Sequence, residues 1–163
     1  MNPEAKADDW TIEARAFRLA RWCSHNFWVL RGANGAWRGE LHGLATDRRN
    51  GRPVPIGYTR WHGLQAWHFE FGQGWSLCRP AQPRIVVLQG DASSILERWD
   101  RAVAMVVRIN QLDLDYPRCG LGWRGKWANS NSVFSYLGRA MGVSPPRFAG
   151  LWQPGLDRPI MPA

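Results

Sequence analysis

Two imidazoles and a hydroxyl are the groups in this chain whose types and spacing could do chemistry. His25 lies in the aromatic, β-branched run His25-Asn26-Phe27-Trp28-Val29-Leu30, and His42 lies in the run from Ala36 to Ala45. Gly32-Ala33-Asn34-Gly35 separates them, and Asn-Gly is the favoured pair for a type I′ hairpin turn. A turn centred on Asn34-Gly35 sets Phe27 opposite His42 and His25 opposite Leu44, so the histidines share a face as diagonal neighbours. A turn centred one residue earlier sets them directly opposite each other, and a three-residue loop puts them on opposite faces. Two registers of three therefore let one imidazole orient the other, which is what a general base requires. The alternative is two unrelated strand histidines.

The hydroxyl comes from Trp127-Ala128-Asn129-Ser130-Asn131-Ser132-Val133-Phe134. Asparagines and serines here are ordinary helix caps. Direction separates the two serines. Ser130 precedes Val133 and Phe134 by three and four residues, which stacks it over the apolar stripe Val133, Leu137, Ala140 and Met141. Ser132 precedes Tyr136 by four and is expected to look towards the flank. Ser130 is thus the expected nucleophile, helped by the positive end of the helix dipole, with capping left to Asn129 or Ser132. Cys119, in a glycine-rich stretch, is an alternative nucleophile, and Cys23 reads as packing. The three cysteines Cys23, Cys78 and Cys119 show no CxxC pair and no disulfide framework, which fits thiols in a reducing compartment. The histidines His25, His42, His62 and His68 lack zinc-ligand spacing. Neither a metal nor a cofactor is expected.

A strand histidine, a polar residue on the next strand and a later Asn-nucleophile pair opening a helix resemble the circularly permuted papain-like hydrolases. These include NlpC-like and lecithin–retinol acyltransferase-like families. The resemblance spans residues 24–142 and rests on short motifs. It implies a papain-like fold, with His25 as general base, His42 as its orienting partner and Ser130 in the nucleophile position. It also implies hydrolysis of an amide, such as a peptidoglycan peptide bond, or of an acyl ester. The nucleophile in those families is normally cysteine. Serine there leaves three cases open: a serine hydrolase, a cysteine replaced by serine, or a domain that only binds.

These groups need elements to hold them. Residues 9–23 are expected to form a helix capped by Asp8 or Asp9, with Ile12, Ala16, Leu19 and Ala20 near one face. Arg15, Arg18 and Arg21 recur on another face, either solvated or as a stripe for an anionic partner. The hairpin follows, then a basic, turn-rich loop over 46–57 and one or two short strands within 64–78. A strand over 84–89 is expected to be covered on both faces. Asp91 should cap a long helix over 92–110 with Ile95, Trp99, Val103, Val106 and Asn110 on one side. A last helix over 130–141 should end at Gly142. The expected class is α+β: a central antiparallel sheet carrying the N-terminal helix, the long helix and the nucleophile-bearing helix. Residues 1–8 read as a loose leader, 9–150 as a single catalytic-type domain and 151–163 as a proline-rich tail.

Composition narrows the partners. The chain has 163 residues, 45% of them apolar and 21% charged, which excludes global disorder. It has no apolar run long enough for a transmembrane helix, and neither a transmembrane segment nor a secretory signal peptide is expected. Synthesis in the cytoplasm is expected, with export by a dedicated secretion system as for bacterial effector toxins. An immunity or delivery partner would then exist. A net charge of +8, carried by arginine except at Lys6 and Lys126, points to an anionic polymer or membrane surface as substrate. Eleven tryptophans favour stacking surfaces. Trp123, Arg124, Lys126 and Trp127 interleave base and ring, and with Asn129 and Asn131 are candidate substrate contacts. The same basic-aromatic stretch supports a rival, non-catalytic class, a nucleic-acid-binding module, although no RNP, KH or helix-turn-helix signature accompanies it.

Overall fold

A computed structural model describes residues 9–19, 22–54, 57, 60–117 and 127–160. The expected leader over residues 1–8 lies outside them. The architecture is α+β: a six-stranded antiparallel sheet with two helices packed on it. The strands are β1 (Trp10–Arg18), β2 (Ser24–Arg31), β3 (Trp37–Asp47), β4 (Arg52–Val54), β5 (His62–Glu70) and β6 (Arg84–Gly90). The helices are α1 (Ala92–Gln111) and α2 (Ser130–Ala140). Sheet order is β4-β3-β2-β1-β6, with β5 also paired to β3. Among the described residues, no helix is long and apolar enough to cross a membrane.

The expected N-terminal helix is a strand. Residues Trp10–Arg18 pair with β2 on one side and β6 on the other. Its alanines and arginines favour a helix locally, but the side chains sort with period two. Ile12, Ala14 and Ala16 are fully buried in the core shared with the helices, while Glu13 and Arg15 are buried on the opposite face. Arg15 therefore belongs to no helical stripe; it is held by Glu13. The strand β6 also departs from expectation. Among the described residues it pairs with β1 alone, so it is an edge strand, and Val86 is 46% exposed.

The hairpin forms as the Asn-Gly signal requires. Asn34 and Gly35 both take positive φ, 58° and 70°, and the Ala36 amide donates to the Ala33 carbonyl. Beside the turn Arg31 stands opposite Trp37, the register of a three-residue loop; a bulge after Leu30 then shifts it by one, so that Val29 stands opposite Glu40 and Trp28 opposite Leu41. The expected loop over 46–57 is partly ordered: β3 runs on to Asp47 and β4 pairs back on it. The expected strand region within 64–78 is the single strand β5.

Asp91 caps α1, its carboxylate accepting from the Ser94 amide at 2.9 Å. Ile95, Trp99, Ala102 and Ile109 are the buried residues of α1. Asn110 acts differently from the apolar stripe: its amide accepts from the Ala66 amide and donates to the Ala66 carbonyl, closing the free edge of β5. α2 presses on β2 through Trp28, which stacks on Phe134 with ring centroids 4.3 Å apart and donates its indole N–H to the Phe134 carbonyl. A Cβ on Gly138 would come within 2.6 Å of that indole, so glycine permits the close approach. Gly142 follows α2 with φ 76°, the expected terminator. Residues 151–160 are irregular yet docked, with Leu156 and Ile160 buried in the core and Cys23 bridging to Trp152.

Candidate active site

One edge of β3 is shared by two strands. β2 pairs with its first half, up to Leu41, and β4 with its last residues, from Ala45. Between them β2 and β3 splay, leaving the segment Ser24–Phe27 without a β3 partner. Buried backbone groups there need other partners. Asn131, in the first turn of α2, supplies them: its side chain accepts from the Asn26 amide at 2.9 Å and donates to the Ser24 carbonyl at 3.0 Å. The amide side chain thus occupies the place of a missing strand peptide and pins the start of α2 to β2.

The start of α2 is tied down from within as well. Asn129 is the N-cap, its side chain accepting from the Asn131 and Ser132 amides. Ser132 completes a capping box by accepting from the Asn129 amide, and donates its hydroxyl to the Gly155 carbonyl at 2.7 Å. Ser132 is fully buried and engaged in the cap, not turned to a flank. Gly43 of β3 lets the helix come close, since a Cβ there would stand 2.5 Å from that of Val133 and 2.9 Å from the Ser130 carbonyl. Ser130 keeps its hydroxyl outside the cap, 3.4 Å from the Tyr116 hydroxyl.

The splay opens a cavity of about 270 Å³. Ser130, Tyr116 and His25 line it with the apolar side chains Phe17, Leu44, Pro53, Val54, Trp75 and Leu77. His25 is the visible end of a chain of hydrogen bonds. Its Nε2 lies 3.0 Å from His42 Nδ1, and the rings are coplanar within 2°. His42 Nε2 lies 2.8 Å from Glu40 Oε2. Glu40 is fully buried and accepts further from the Trp37 indole, the Ser76 hydroxyl and the Leu77 and Cys78 amides.

This arrangement fixes both tautomers. An ionised carboxylate only accepts, so His42 carries its proton on Nε2. Its Nδ1 is then an acceptor, and His25 must donate from Nε2. The lone pair of His25 is left on Nδ1, the nitrogen not committed to His42. The electrostatics agree with neutral rings. Burial, and then the neighbouring His42, push the His25 pKa down to about 3. Burial also lowers His42, against the opposing pull of Glu40. Phe27 stacks on His42 at 4.6 Å, while Trp75 and Phe69 present edges to it, an apolar cage that excludes water. Burial works to raise the Glu40 pKa, but the bonds from His42, Ser76 and Leu77 outweigh it and hold the carboxyl below its usual value. Burial raises Tyr116, opposed by its bond to Ser130, so its hydroxyl stays protonated.

Thus His25 and Ser130 line one cavity, His42 lies buried behind His25, and Asn129 and Asn131 hold the backbone at the start of α2. Trp127 is half exposed in the wall of a separate groove, beside Asn129 and Trp152. Trp123, Arg124, Lys126 and the alternative nucleophile Cys119 lie outside the described residues. Two residues were missed from sequence, Glu40 and Tyr116. Glu40 had a usable signal: it precedes His42 by two on one strand, which sets both on one face. Tyr116 had none, because it reaches the cavity from the segment after α1, where Gly57 makes room for its ring. No protein-family model, curated protein or solved structure matches the chain.

Proposed function

We propose that the chain is a hydrolase of the permuted papain-like type, with Ser130 as nucleophile and His25 as its general base. The observation that carries this reading is the Glu40–His42–His25 chain, which ends in a cavity also lined by Ser130. Ser130 Oγ would attack a carbonyl carbon while its proton passes to His25 Nδ1. The charge gained would be shared along the chain by movement of the Nε2 protons towards His42 and Glu40, so that no isolated imidazolium forms in an apolar site. Tyr116, a neutral donor beside Ser130, and the N-terminal end of α2 would stabilise the oxyanion. The second proton transfer, from His25 to the leaving alcohol or amine, would let its bond to the carbonyl carbon break and leave the acyl group on Ser130, which water then cleaves by the reverse path.

The cavity walls favour an apolar acyl group next to the scissile bond, an ester or amide of a lipid-like chain, over a polar peptidoglycan peptide. The +8 charge suits delivery to an anionic membrane or wall polymer, consistent with an exported bacterial effector. A fluorophosphonate probe, which reacts with activated serines, tests the site without a known substrate. Intact mass should show one adduct, mapped to Ser130 and lost in Ser130→Ala and His25→Ala. Incubation with phospholipid vesicles and with peptidoglycan then separates the substrates. No adduct and no product from either would refute the hydrolase and leave a binding module.

A further inference from the structure

On the sheet face turned away from the helices, beyond the wall formed by Ser76 and Cys78, lies a second and larger concavity of about 1080 Å³. It shares no lining residue with the Ser130 cavity: Trp75 and Leu77 face that one, and Ser76 and Cys78 face this one. Its floor is a charge cluster drawn from three adjacent strands. Glu13 of β1 is 2% exposed and holds Arg15 at 2.8 Å, Arg31 of β2 at 3.3 Å and Arg84 of β6 at 3.4 Å. Arg79 lines the same groove, and its carbonyl accepts from Arg15.

The cluster is out of balance. One carboxylate serves three guanidiniums: Arg15 holds Oε2 through two nitrogens and Arg31 shares that oxygen, while Arg84 reaches Oε1 at 3.4 Å. Arg15 and Arg84 are direct cross-strand partners, a like-charge pair that destabilises a sheet. Each fork has a different amount left to give. Arg15 is fully used by Glu13 and Arg79, and Arg31 by Glu13, the Gly35 carbonyl and the Cys78 sulfur. Arg84 meets Glu13 through one nitrogen, and its side chain is 61% exposed towards the groove. Asp9 stands among the other lining residues, but it is engaged with Gln89. A second anion in the groove would relieve the Arg15–Arg84 repulsion and use the free edge of the Arg84 fork.

We propose that this groove is a binding site for a polyvalent oxyanion, a ligand bearing two or more phosphate or carboxylate groups, gripped by Arg84 and Arg79, with the charge of Arg31 beside them. Guanidinium forks match both groups bidentately, and the volume exceeds that of a single phosphate. Neutral lining groups at the hairpin turn, Asn34 and Trp37, offer contacts to the uncharged part of such a ligand.

Calorimetric titration with tripolyphosphate, citrate and inorganic phosphate at physiological ionic strength tests this. One saturable site is expected for tripolyphosphate or citrate, with inorganic phosphate weaker. Preference between the first two tells phosphate from carboxylate. Arg84→Gln, on an exposed side chain of an edge strand, should weaken binding about tenfold or more, as should Arg79→Gln. Arg101→Gln and Arg147→Gln, which remove charges paired elsewhere, should not. Thermal melts of all four variants report whether they fold. Equal weakening by the controls would mean diffuse attraction to a basic protein and would overturn the site, as would absence of saturable binding. Fluorophosphonate labelling of Ser130 should be unchanged in Arg84→Gln, so this proposal and the hydrolase reading stand or fall separately.

Discussion

Replacing Glu40 by Gln keeps the volume of a fully buried side chain and changes one oxygen into an NH₂. The amide oxygen should stay where Trp37, Ser76 and Cys78 converge on Oε1. The NH₂ then faces Leu77 N and His42 Nε2, both of which now donate to Oε2. His42 must turn its lone pair to the amide, so its proton moves to Nδ1. His25 must then accept on Nε2, and its own proton moves to Nδ1, where the working base needs a lone pair. One amide thus inverts two tautomers and disables the base without touching the cavity. The equivalent carboxylate-to-amide change in Ser-His-Asp sites costs about 10⁴-fold in turnover, and a comparable loss is expected in the rate of fluorophosphonate labelling. The orphaned Leu77 amide should cost about 1–3 kcal/mol of stability, read by urea denaturation. Long-range ¹⁵N spectra of labelled histidine give the tautomers directly: Nε2–H on both rings in the wild type, Nδ1–H on both in the variant. If the tautomers invert and Ser130 labels at the wild-type rate, the chain does not activate the serine. If they do not invert, the assigned direction of the hydrogen bonds is wrong.

Acid should weaken the fold in a defined window. His25 titrates near 6.5 when unfolded and near 3 when folded. Its contribution is therefore complete above about 6.5 and is lost as pH falls from there towards 3, amounting to about 2 kcal/mol near pH 5. Urea midpoints that coincide at pH 7 and pH 5 would show that the rings are not buried neutral. Asn131→Ala strips partners from two backbone groups of β2 and should cost about 2–4 kcal/mol, whereas an exposed asparagine such as Asn50 changed to Ala should cost under 1 kcal/mol. Ser130→Ala should fold normally and lose the probe adduct. Ser132→Ala should keep the adduct and lose about 1–2 kcal/mol, since it gives up a buried cap; an adduct lost only in Ser132→Ala moves the nucleophile two residues along. Ser130→Cys should retain reactivity, now towards iodoacetamide, because a thiolate is the better nucleophile beside an imidazole.

What could be read from the sequence was local. Asn34-Gly35 marks the hairpin turn, but a bulge after Leu30, which no local signal announces, shifts the register by one, and turn and bulge together align the strands of His25 and His42. Asp91 and Asn129 mark the starts of their helices because capping is decided within four residues. The strand β1 was not legible for the opposite reason. Ala14, Arg15, Ala16 and Arg18 carry good helix propensity, and only pairing with β2 and β6 makes the period-two burial of Ile12, Ala14 and Ala16 decisive. That single misreading also hid the arginine cluster. Arg15 and Arg84 become neighbours only when residues 10–18 are extended and register against β6. The buried stripe separated Ser130, which lines the cavity, from Ser132, which does not. The rule did not foresee that Ser132 would be drawn inward by Gly155.

The site depends on a break in the sheet. Had β2 and β3 stayed paired beyond Trp28 and Leu41, the edge of β2 would be occupied by β3 backbone and α2 would have no polar foothold there. The splay frees the Asn26 amide and the Ser24 carbonyl, and Asn131 takes both. That places Ser130, one residue earlier on the same turn, at the mouth of the gap. His25, between Ser24 and Asn26, projects the other way from their side chains, to the face where His42 and Glu40 lie. The gap is what allows a group on the helix side and a group on the far face to share one cavity. The interaction that seats the helix and the separation that opens the cavity are therefore the same structural event. Removing Asn131 leaves that edge unpaired and should cost reactivity at Ser130 together with stability.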